Sequence, residues 1–384
     1  MNDSNRNTRV APWLEGVDTF RLLAILGVVA IHTTPILDPA ARRAGDFDVA
    51  VVVVNQLARF AVPFFFTVSG YFWGRKIRAG AAIGPTTLAM IRWLLLLYAV
   101  WSLLYLLPYN LTSISQYGIF GPLKLSYWNA RHLVAHPQLL LLEGTEQHLW
   151  YLAALAWAVA LTGALVAWRR VTTLVILAVS LYVFAVAAYA YAQTPLGISV
   201  PFCTRDGPFF GTVFFVTGYL LSGSTPRSGW LWRGAVLLAA GCVLHLLEVT
   251  ALWRWYHSYP LKEFVFGTYL MGVGAAVMAL SDHPGIRSRA LARLGPATLG
   301  VYLVNPVFAD MLGPVGGQGH GVVWQLTHLA AVLALSLLTV LLLARSRSLR
   351  WLVLPDRRSM GPGAGGIPPA GSDETDSRIV TERR

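Results

Sequence analysis

An acid, a guanidinium and an imidazole lie on one stripe of the first long apolar run, Val17–Leu37. Arg21 and His32 are eleven residues apart, within about 20° of three full helical turns, and Asp18 is roughly 40° from the same stripe. A neutral imidazole in a partly dehydrated cavity can take the proton from a hydroxyl whose oxygen attacks an acyl carbonyl. His32 is therefore the candidate general base, and Arg21 and Asp18 are its candidate catalytic partners.

Each of these three residues has a structural alternative. His32 could hydrogen-bond a neighbouring helix, Asp18 could cap the helix N-terminus, and Arg21 could pair with Asp18 or meet a phosphate or carbonyl that enters from the cytoplasm. Ionisable side chains at membrane depth are costly and normally face a protein interior or a wet cavity, where they mark a site. Their alignment therefore favours a functional role.

The segment Val62–Arg78, VPFFFTVSGYFWGRKIR, ends in three cations. Positive charges at the cytoplasmic end of a membrane helix set its orientation, which explains the cations adequately. Alternatively, the cations bind the phosphates of an anionic cytosolic cosubstrate such as coenzyme A, whose flexible arm would carry a thioester towards His32. On that interpretation Arg75, Lys76 and Arg78 are the predicted donor-binding residues.

Polar and aromatic residues open the fourth apolar run at the predicted outer face. Glu146 and His148 could hydrogen-bond the hydroxyls of an acceptor, and Trp150 could stack on its ring. A helix cap and an aromatic belt explain the same residues. His245 and Glu248, at positions i and i+3, could be a buried pair or a second acid–base element. Two potential ligands without a third do not predict a metal site.

The composition indicates a polytopic membrane protein. Of the 384 residues 55% are hydrophobic and only 12% are charged, and the mean hydropathy is +0.56, whereas soluble domains carry about 25% charged residues. Most of ten apolar runs reach the ~20 residues that a spanning helix needs. The runs are Val17–Leu37, Val49–Trp73, Thr86–Leu107, Leu149–Trp168, Val171–Ala192, Pro208–Leu221, Leu231–Leu252, Glu263–Ser281, Leu291–Leu312 and Gly321–Ala344. The sequence therefore predicts an all-α integral-membrane bundle of about ten transmembrane helices.

The Lys and Arg residues orient this bundle, because positively charged loops stay in the cytoplasm. The segments that connect successive apolar runs fall alternately on the two sides of the membrane and so form two sets. One set carries sixteen Lys and Arg residues: Arg6, Arg9, Arg75, Lys76, Arg78, Arg92, Arg169, Arg170, Arg227, Arg233, Arg287, Arg289, Arg293, Arg345, Arg347 and Arg350. The other set carries seven: Arg42, Arg43, Lys124, Arg131, Arg205, Arg254 and Lys262. Both termini are therefore predicted to be cytoplasmic. The same distribution accounts for the net charge of +12 without a nucleic-acid partner, and no nucleic-acid-binding motif is present.

One transmembrane domain is predicted over residues 13–350. A short cytoplasmic tail precedes it over residues 1–12, and a disordered cytoplasmic tail follows over residues 351–384, because that segment is rich in Gly, Pro and polar residues without periodicity. Cys203 and Cys242 lie in an outer loop and in the middle of a predicted helix, so no disulfide is expected.

Four short motifs, in order along the chain, resemble the acyltransferase 3 family of integral-membrane enzymes. They are D-x-x-R-x-x-A over residues 18–24, followed by His32 at the family's Arg-x10-His spacing, VPFFFTVSGYFW over Val62–Trp73, H-L-W-Y over His148–Tyr151, and L-G-V-Y-L over Leu299–Leu303. The similarity runs from about Trp13 to about Arg345. It is strongest to the branch that holds the O-acetyltransferase of enterobacterial common antigen.

The resemblance implies ten or so helices and the transfer of an acyl group, usually acetyl from acetyl-CoA, to a carbohydrate or a lipid-linked sugar. It also implies that His32 and Arg21 are functional and that Arg75 and Lys76 serve the donor. One departure follows the late motif, where the family commonly has a histidine and this chain has Asn305. Asparagine cannot titrate there, but it can hydrogen-bond.

These features together predict a membrane O-acyltransferase, of the O-acetyl type, that moves an acyl group from cytoplasmic acyl-CoA to a hydroxyl of a cell-surface carbohydrate or a lipid-linked sugar. Acyl-CoA is the expected cosubstrate, with no cofactor and no metal, and the bacterial cytoplasmic membrane is the expected location. The alternative is a transporter or flippase for a lipid-linked sugar or small amphiphile, in which the same charges line a pathway. Transporters tend to show inverted repeats, and this sequence shows no such symmetry.

Overall fold

The computed structural model describes residues 12–33, 49–316 and 322–354. Over these residues the fold is all-helical, without strands, as predicted, and it contains twelve α-helices of ten residues or more. They are α1 (Pro12–Thr33), α2 (Val49–Ala58), α3 (Ala61–Arg78), α4 (Ile83–Leu104), α5 (Gly121–Ala135), α6 (Trp150–Ala167), α7 (Val171–Tyr189), α8 (Pro208–Leu221), α9 (Trp230–Tyr256), α10 (Phe266–Ala279), α11 (Thr298–Leu312) and α12 (Val322–Arg345). A helix satisfies its backbone N–H and C=O groups internally, which lipid requires of an apolar run.

Seven helical segments of the described chain are long and apolar enough to cross a membrane. They are Glu15–Thr33, Val49–Arg78, Ile83–Leu104, Gln147–Ala167, Val171–Tyr189, Trp230–Tyr256 and Val323–Arg345. Helices α8, α10 and α11 have only 14, 14 and 15 residues, about 21–23 Å, against a hydrocarbon core of about 30 Å. The architecture is that of a multi-pass membrane protein, and the ten spans and the cytoplasmic termini stay predictions.

The predicted tails lie almost entirely outside the described residues. After α12 a short 3-10 turn, Arg350–Leu352, leads to Val353 and Leu354, which are both buried. Trp101 of α4 donates from its indole nitrogen to the carbonyl of Leu352 at 3.0 Å. The packed part of the domain therefore extends slightly beyond residue 350.

The second apolar run is interrupted between α2 and α3. Helix α2 ends at Ala58 and α3 begins at Ala61, so Arg59 lies between two helices. Pro63 explains the break, because its ring would clash with the backbone carbonyl of Arg59, four residues earlier, and because it has no N–H to donate to that carbonyl. Helix α1 crosses this break closely, since a Cβ on Gly27 would lie 3.6 Å from the Cβ atoms of Ala58 and Ala61.

Glycines let two helix pairs approach backbone to backbone. A Cβ on Gly70 of α3 would collide with the backbone of Phe215 in α8, and a Cβ on Gly241 of α9 would collide with the backbone of Met271 in α10. Small residues permit such close packing between membrane helices. These contacts hold α3 against α8 and α9 against α10.

The long connection between α4 and α6 positions the residues that open α6. It contains α5 and two shorter helices, Ser113–Tyr117 and Leu139–Leu142. The hydroxyl of Thr145 donates to the carbonyl of Ser102, near the end of α4, at 2.6 Å. The backbone that precedes Glu146 is therefore anchored to α4.

A topology map is expected to place Arg78 and Arg170 in the cytoplasm and Trp128 outside, because one misassigned helix cannot reverse the charge asymmetry at every loop. All three side chains are exposed. Single cysteines at these positions, in a chain whose Cys203 and Cys242 are replaced by serine, would be labelled with an impermeant maleimide on intact cells and on inverted vesicles. Labelling of Trp128→Cys from the cytoplasmic side would contradict both the orientation and an outer acceptor entry.

Candidate active site

His32 contacts helix α11 near the end of α1. Its Nδ1 lies 2.6 Å from Oδ1 of Asn305, and Asn305 is fully buried. The side-chain nitrogen of Asn305 donates to the carbonyls of Val301 at 3.1 Å and Tyr302 at 2.8 Å. Because Pro306 has no N–H, the Tyr302 carbonyl has no helical partner four residues on, and the Asn305 amide replaces that partner.

These contacts define the tautomer of His32. Since the NH2 group of Asn305 donates within its own helix, its oxygen is the atom that faces His32, and an amide oxygen only accepts. The Nδ1 of His32 therefore carries the proton, and Nε2 keeps the lone pair that a base needs. A third group orients an imidazole in the same way in Ser-His-Asp triads, and here that group is a neutral amide.

A second imidazole lies beside the first. The ring centroids of His32 and His148 are 6.3 Å apart, and the rings of Tyr105 and Tyr302 approach His148 edge-on at 5.1 and 5.3 Å. The Tyr302 hydroxyl donates to the backbone carbonyl of His148. Tyr302 therefore joins the start of α6 to the helix that carries Asn305.

Asp18 and Arg21 form an ion pair of their own, with Nη1 and Oδ1 2.7 Å apart. The guanidinium also lies over the ring of Phe72, at 5.4 Å from its centre. Arg21 is about 16 Å from His32 along the helix axis, so the structure does not bring this pair to the imidazole. The alternative that Asp18 caps the helix is wrong, because α1 begins six residues earlier, at Pro12.

An apolar cavity runs along α1 and α3. Its walls include Arg21 and Lys76 as well as Val62, Tyr151 and Tyr302. The lining residues of α3 extend from Val62 to Lys76, fourteen steps along the helix or about 21 Å. The cavity therefore reaches from the predicted cytoplasmic end of α3 to Tyr302, whose ring lies 5.3 Å from that of His148.

The structure separates the three predicted donor-binding cations. Lys76 lines the cavity, whereas Arg75 is exposed. Arg78 donates from Nε to the hydroxyl of Ser222 at 3.0 Å, and its guanidinium lies over the ring of Tyr219 at 5.1 Å. Lys76 is therefore the member of this cluster that lines the cavity, and the other two face elsewhere.

The three predicted acceptor-binding residues have different surroundings. His148 belongs to the imidazole pair, whereas Trp150 lies under the guanidinium of Arg205, 4.9 Å from the ring centre. Burial, and then the neighbouring carboxylate of Asp310, raise the pKa of Glu146 to about 7. Glu146 can therefore donate or accept a hydrogen bond near neutral pH.

His245 and Glu248 are used in helix packing and do not form an acid–base pair. His245 is fully buried, with Nδ1 2.9 Å from the hydroxyl of Thr268 and Nε2 2.8 Å from Oε1 of Gln56. Glu248 accepts from the backbone N–H of Gly267 at 2.6 Å. A carboxylate at the N-terminus of a helix, here α10, is stabilising.

Comparison with known proteins matches residues 14–345 to a family described as an acyltransferase domain. The chain belongs to the acyltransferase 3 family. It is also similar to an amino-acid racemase of Enterococcus faecalis, 30% identical over 236 residues, which are 55% of this chain and 28% of that protein. A serine/alanine racemase of Enterococcus gallinarum is 30% identical over 223 residues, 54% of this chain and 29% of that protein. The chain thus spans less than a third of these relatives. No solved structure matches it significantly.

Four charged residues near the candidate site, Arg59, Arg205, Asp206 and Glu263, were not singled out from the sequence as site residues. Arg205 is 4% exposed and donates to Asp206 at 2.9 Å and to Glu263 at 3.0 Å. It lies in a loop, where sequence gives no sign of burial. Arg59 had a signal, since it is a cation inside the apolar run Val49–Trp73, and such cations mark sites.

Proposed function

We propose that this acyltransferase is an O-acetyltransferase of the bacterial cytoplasmic membrane, which moves the acetyl group of cytoplasmic acetyl-CoA to a hydroxyl of a cell-surface carbohydrate or a lipid-linked sugar. Membership of the family supports acyl transfer. The motif resemblance to the enterobacterial common antigen branch supports the O-acetyl type, and the Lys and Arg distribution supports a cytoplasmic donor. The reaction needs acyl-CoA as cosubstrate and no further cofactor.

The cavity along α1 and α3 is the observation that carries this proposal. Arg21 and Lys76 are suited to the phosphates of coenzyme A, and the apolar walls are suited to an extended thioester arm. Tyr302 lines the cavity, and its carbonyl accepts from Asn305, which in turn bonds His32. An acyl group carried along the cavity would therefore arrive beside the imidazole.

In the proposed reaction Nε2 of His32 takes the proton of the acceptor hydroxyl as the hydroxyl oxygen attacks the thioester carbonyl. The tetrahedral intermediate then breaks its C–S bond, and the leaving thiolate takes the proton from the imidazolium. The ester and free coenzyme A depart, and His32 returns to its neutral form. The Asp18–Arg21 pair, about 16 Å away, is assigned to donor binding instead of catalysis.

The acceptor is proposed to bind at the outer side of the imidazole pair. Glu146, with its pKa near 7, and His148 can both hydrogen-bond hydroxyls. Trp150 is 9% exposed and one face is covered by Arg205. We therefore assign Trp150 to holding Arg205 in place, so the acceptor contacts fall to Glu146 and His148.

The donor end of the proposal is tested with Lys76→Gln and with Arg75→Gln as its matched control. Both variants remove one cation from the same turn of α3, but of the two only Lys76 lines the cavity. We expect Lys76→Gln to raise the Kd for acetyl-CoA by about tenfold, because charge-assisted hydrogen bonds contribute about 1.5–3 kcal/mol and salt weakens them. Arg75→Gln should leave the Kd nearly unchanged.

The Kd would be measured by titration calorimetry on purified protein in detergent, after membrane insertion and orientation of each variant have been checked in cells. That check is needed because both cations also help to set topology. An unchanged Kd in Lys76→Gln, or equal increases in the two variants, would contradict the assignment of the cavity to the donor.

A further inference from the structure

Arg59 is a cation at the break between α2 and α3, close to the proposed active site. Helix α1 packs against the break at Gly27, which is less than two turns from His32. Arg59 and Glu263 are the charged groups that act electrostatically on His32. The guanidinium therefore belongs to the surroundings of the proposed base.

A chain of buried polar side chains holds this guanidinium. Its Nε and Nη2 donate to Oδ1 of Asn55 at 3.2 and 2.9 Å, and Nε2 of Gln56 donates to the same oxygen at 3.3 Å. Oε1 of Gln56 then accepts from Nε2–H of His245, whose Nδ1 accepts from the Thr268 hydroxyl. All four supporting side chains are at most 2% exposed. The donors in this chain of hydrogen bonds all point from Thr268 towards the oxygen of Asn55. The chain of bonds thereby holds the guanidinium in a preformed position.

Arg59 differs from the neighbouring Arg205 in its direct contacts. Arg205 is neutralised, because it donates to Asp206 and to both carboxylate oxygens of Glu263. The hydrogen-bond partner of the Arg59 guanidinium is the neutral Asn55, and no carboxylate of the described segments lies within 4.0 Å of it. Glu263, which Arg205 already binds, attracts the Arg59 guanidinium electrostatically but forms no direct ion pair with it. A cation at membrane depth without a direct ion pair is costly, so this arrangement fits a site that an anion completes.

We propose that Arg59 binds an acidic group of the acceptor, a phosphate or a carboxylate, and thereby holds the neighbouring hydroxyl against His32. The inference rests on the proposed acyl transfer. The planar guanidinium fork matches either oxyanion, and two of its donors are already oriented by Asn55. The acceptor is thus an acidic saccharide or a sugar phosphate, and a neutral sugar lacks the group that Arg59 needs.

The test uses the purified full chain in detergent with three monosaccharide probes: glucose 1-phosphate, glucuronate and neutral glucose. A ligand that binds the folded state raises Tm in proportion to its saturation. We expect the wild type to gain Tm with at least one anionic probe and not with glucose. The stronger of the two anions identifies the acidic group as a phosphate or a carboxylate.

Three variants assign the effect to Arg59. Arg59→Gln removes the charge but keeps a donor for Asn55, and it should weaken anion binding at least tenfold. Arg59→Lys keeps the charge without the planar fork and should bind with intermediate strength. Arg92→Gln, which removes an exposed cation of α4, should behave as the wild type. The proposal is overturned if the anions do not stabilise the wild type, or if Arg59→Gln binds them equally well.

Acetyl-CoA added to the same samples separates this inference from the proposed function. If acetyl-CoA stabilises both the wild type and Arg59→Gln while the anionic sugars stabilise neither, the acyl transfer stands and the Arg59 site fails. If the anions stabilise the wild type through Arg59 but acetyl-CoA does not bind it, the proposed function fails and the Arg59 anion site stands.

Discussion

A His32→Gln variant is expected to lose acyl transfer by about 10²-fold to 10⁴-fold, the range that a positioned general base contributes, while it still inserts into the membrane. Glutamine keeps a donor for the oxygen of Asn305, but its amide has no basic lone pair. The measurement is the incorporation of labelled acetyl from acetyl-CoA into the glycoconjugate fraction of membranes that carry each variant at equal protein level.

The matched control is His148→Gln, the same replacement in the imidazole 6.3 Å away. We expect this variant to keep more activity than His32→Gln, because His148 is assigned to the acceptor. Near-normal transfer by His32→Gln together with its loss in His148→Gln would move the base to His148. His245 is not the next candidate, since both of its ring nitrogens are engaged with Thr268 and Gln56.

The positions of the apolar helices followed from the sequence, because lipid imposes both length and hydrophobicity on a spanning segment. The interruption at Arg59 follows from Pro63 four residues later, so the sequence itself carries a signal for it. The hydrophobicity pattern is less informative for the short helices α8, α10 and α11. An apolar run of 14 or 15 residues does not by itself show whether the helix spans the membrane.

Helical periodicity predicted which residues share a face, but it could not say which of them act together. Arg21 and His32 do lie on one stripe, yet about 16 Å of helix separates them, and of the two only Arg21 lines the cavity. The same periodicity argues against a single donor cluster, because side chains of adjacent residues on a helix point about 100° apart. Lys76 lines the cavity whereas Arg75 is exposed, in agreement with that geometry.

Contacts between distant parts of the chain could not be predicted from the sequence. His32 and Asn305 are 273 residues apart, and nothing in either local pattern states that they meet. The resemblance to the family motif marks Asn305 only as a departure from a common histidine. The structure gives this residue a physical role, because its amide replaces the helical hydrogen bond that Pro306 removes and turns its oxygen towards the imidazole.

Asn305→Ala is therefore expected to lower the rate of acyl transfer by about tenfold to a hundredfold, by analogy with the loss when the hydrogen-bond partner of a metal-ligating histidine is removed. The loss should be smaller than that of His32→Ala, because the base itself remains. Without the amide oxygen, Nδ1–H has no acceptor, and the ring is free to adopt the tautomer whose lone pair points away from the acceptor.

Comparison of Asn305→Asp with Asn305→Ala separates the two roles of the Asn305 amide. A carboxylate still accepts from Nδ1–H, but it cannot donate to the carbonyls of Val301 and Tyr302, so the two functions of the amide are separated. If Asn305 acts by orienting His32, Asn305→Asp should retain more activity than Asn305→Ala in the same labelled-acetyl assay, at matched Tm. Equal losses in the two variants would mean that Asn305 matters only for the helix around Pro306, and the orientation of His32 would then have to come from elsewhere in the site.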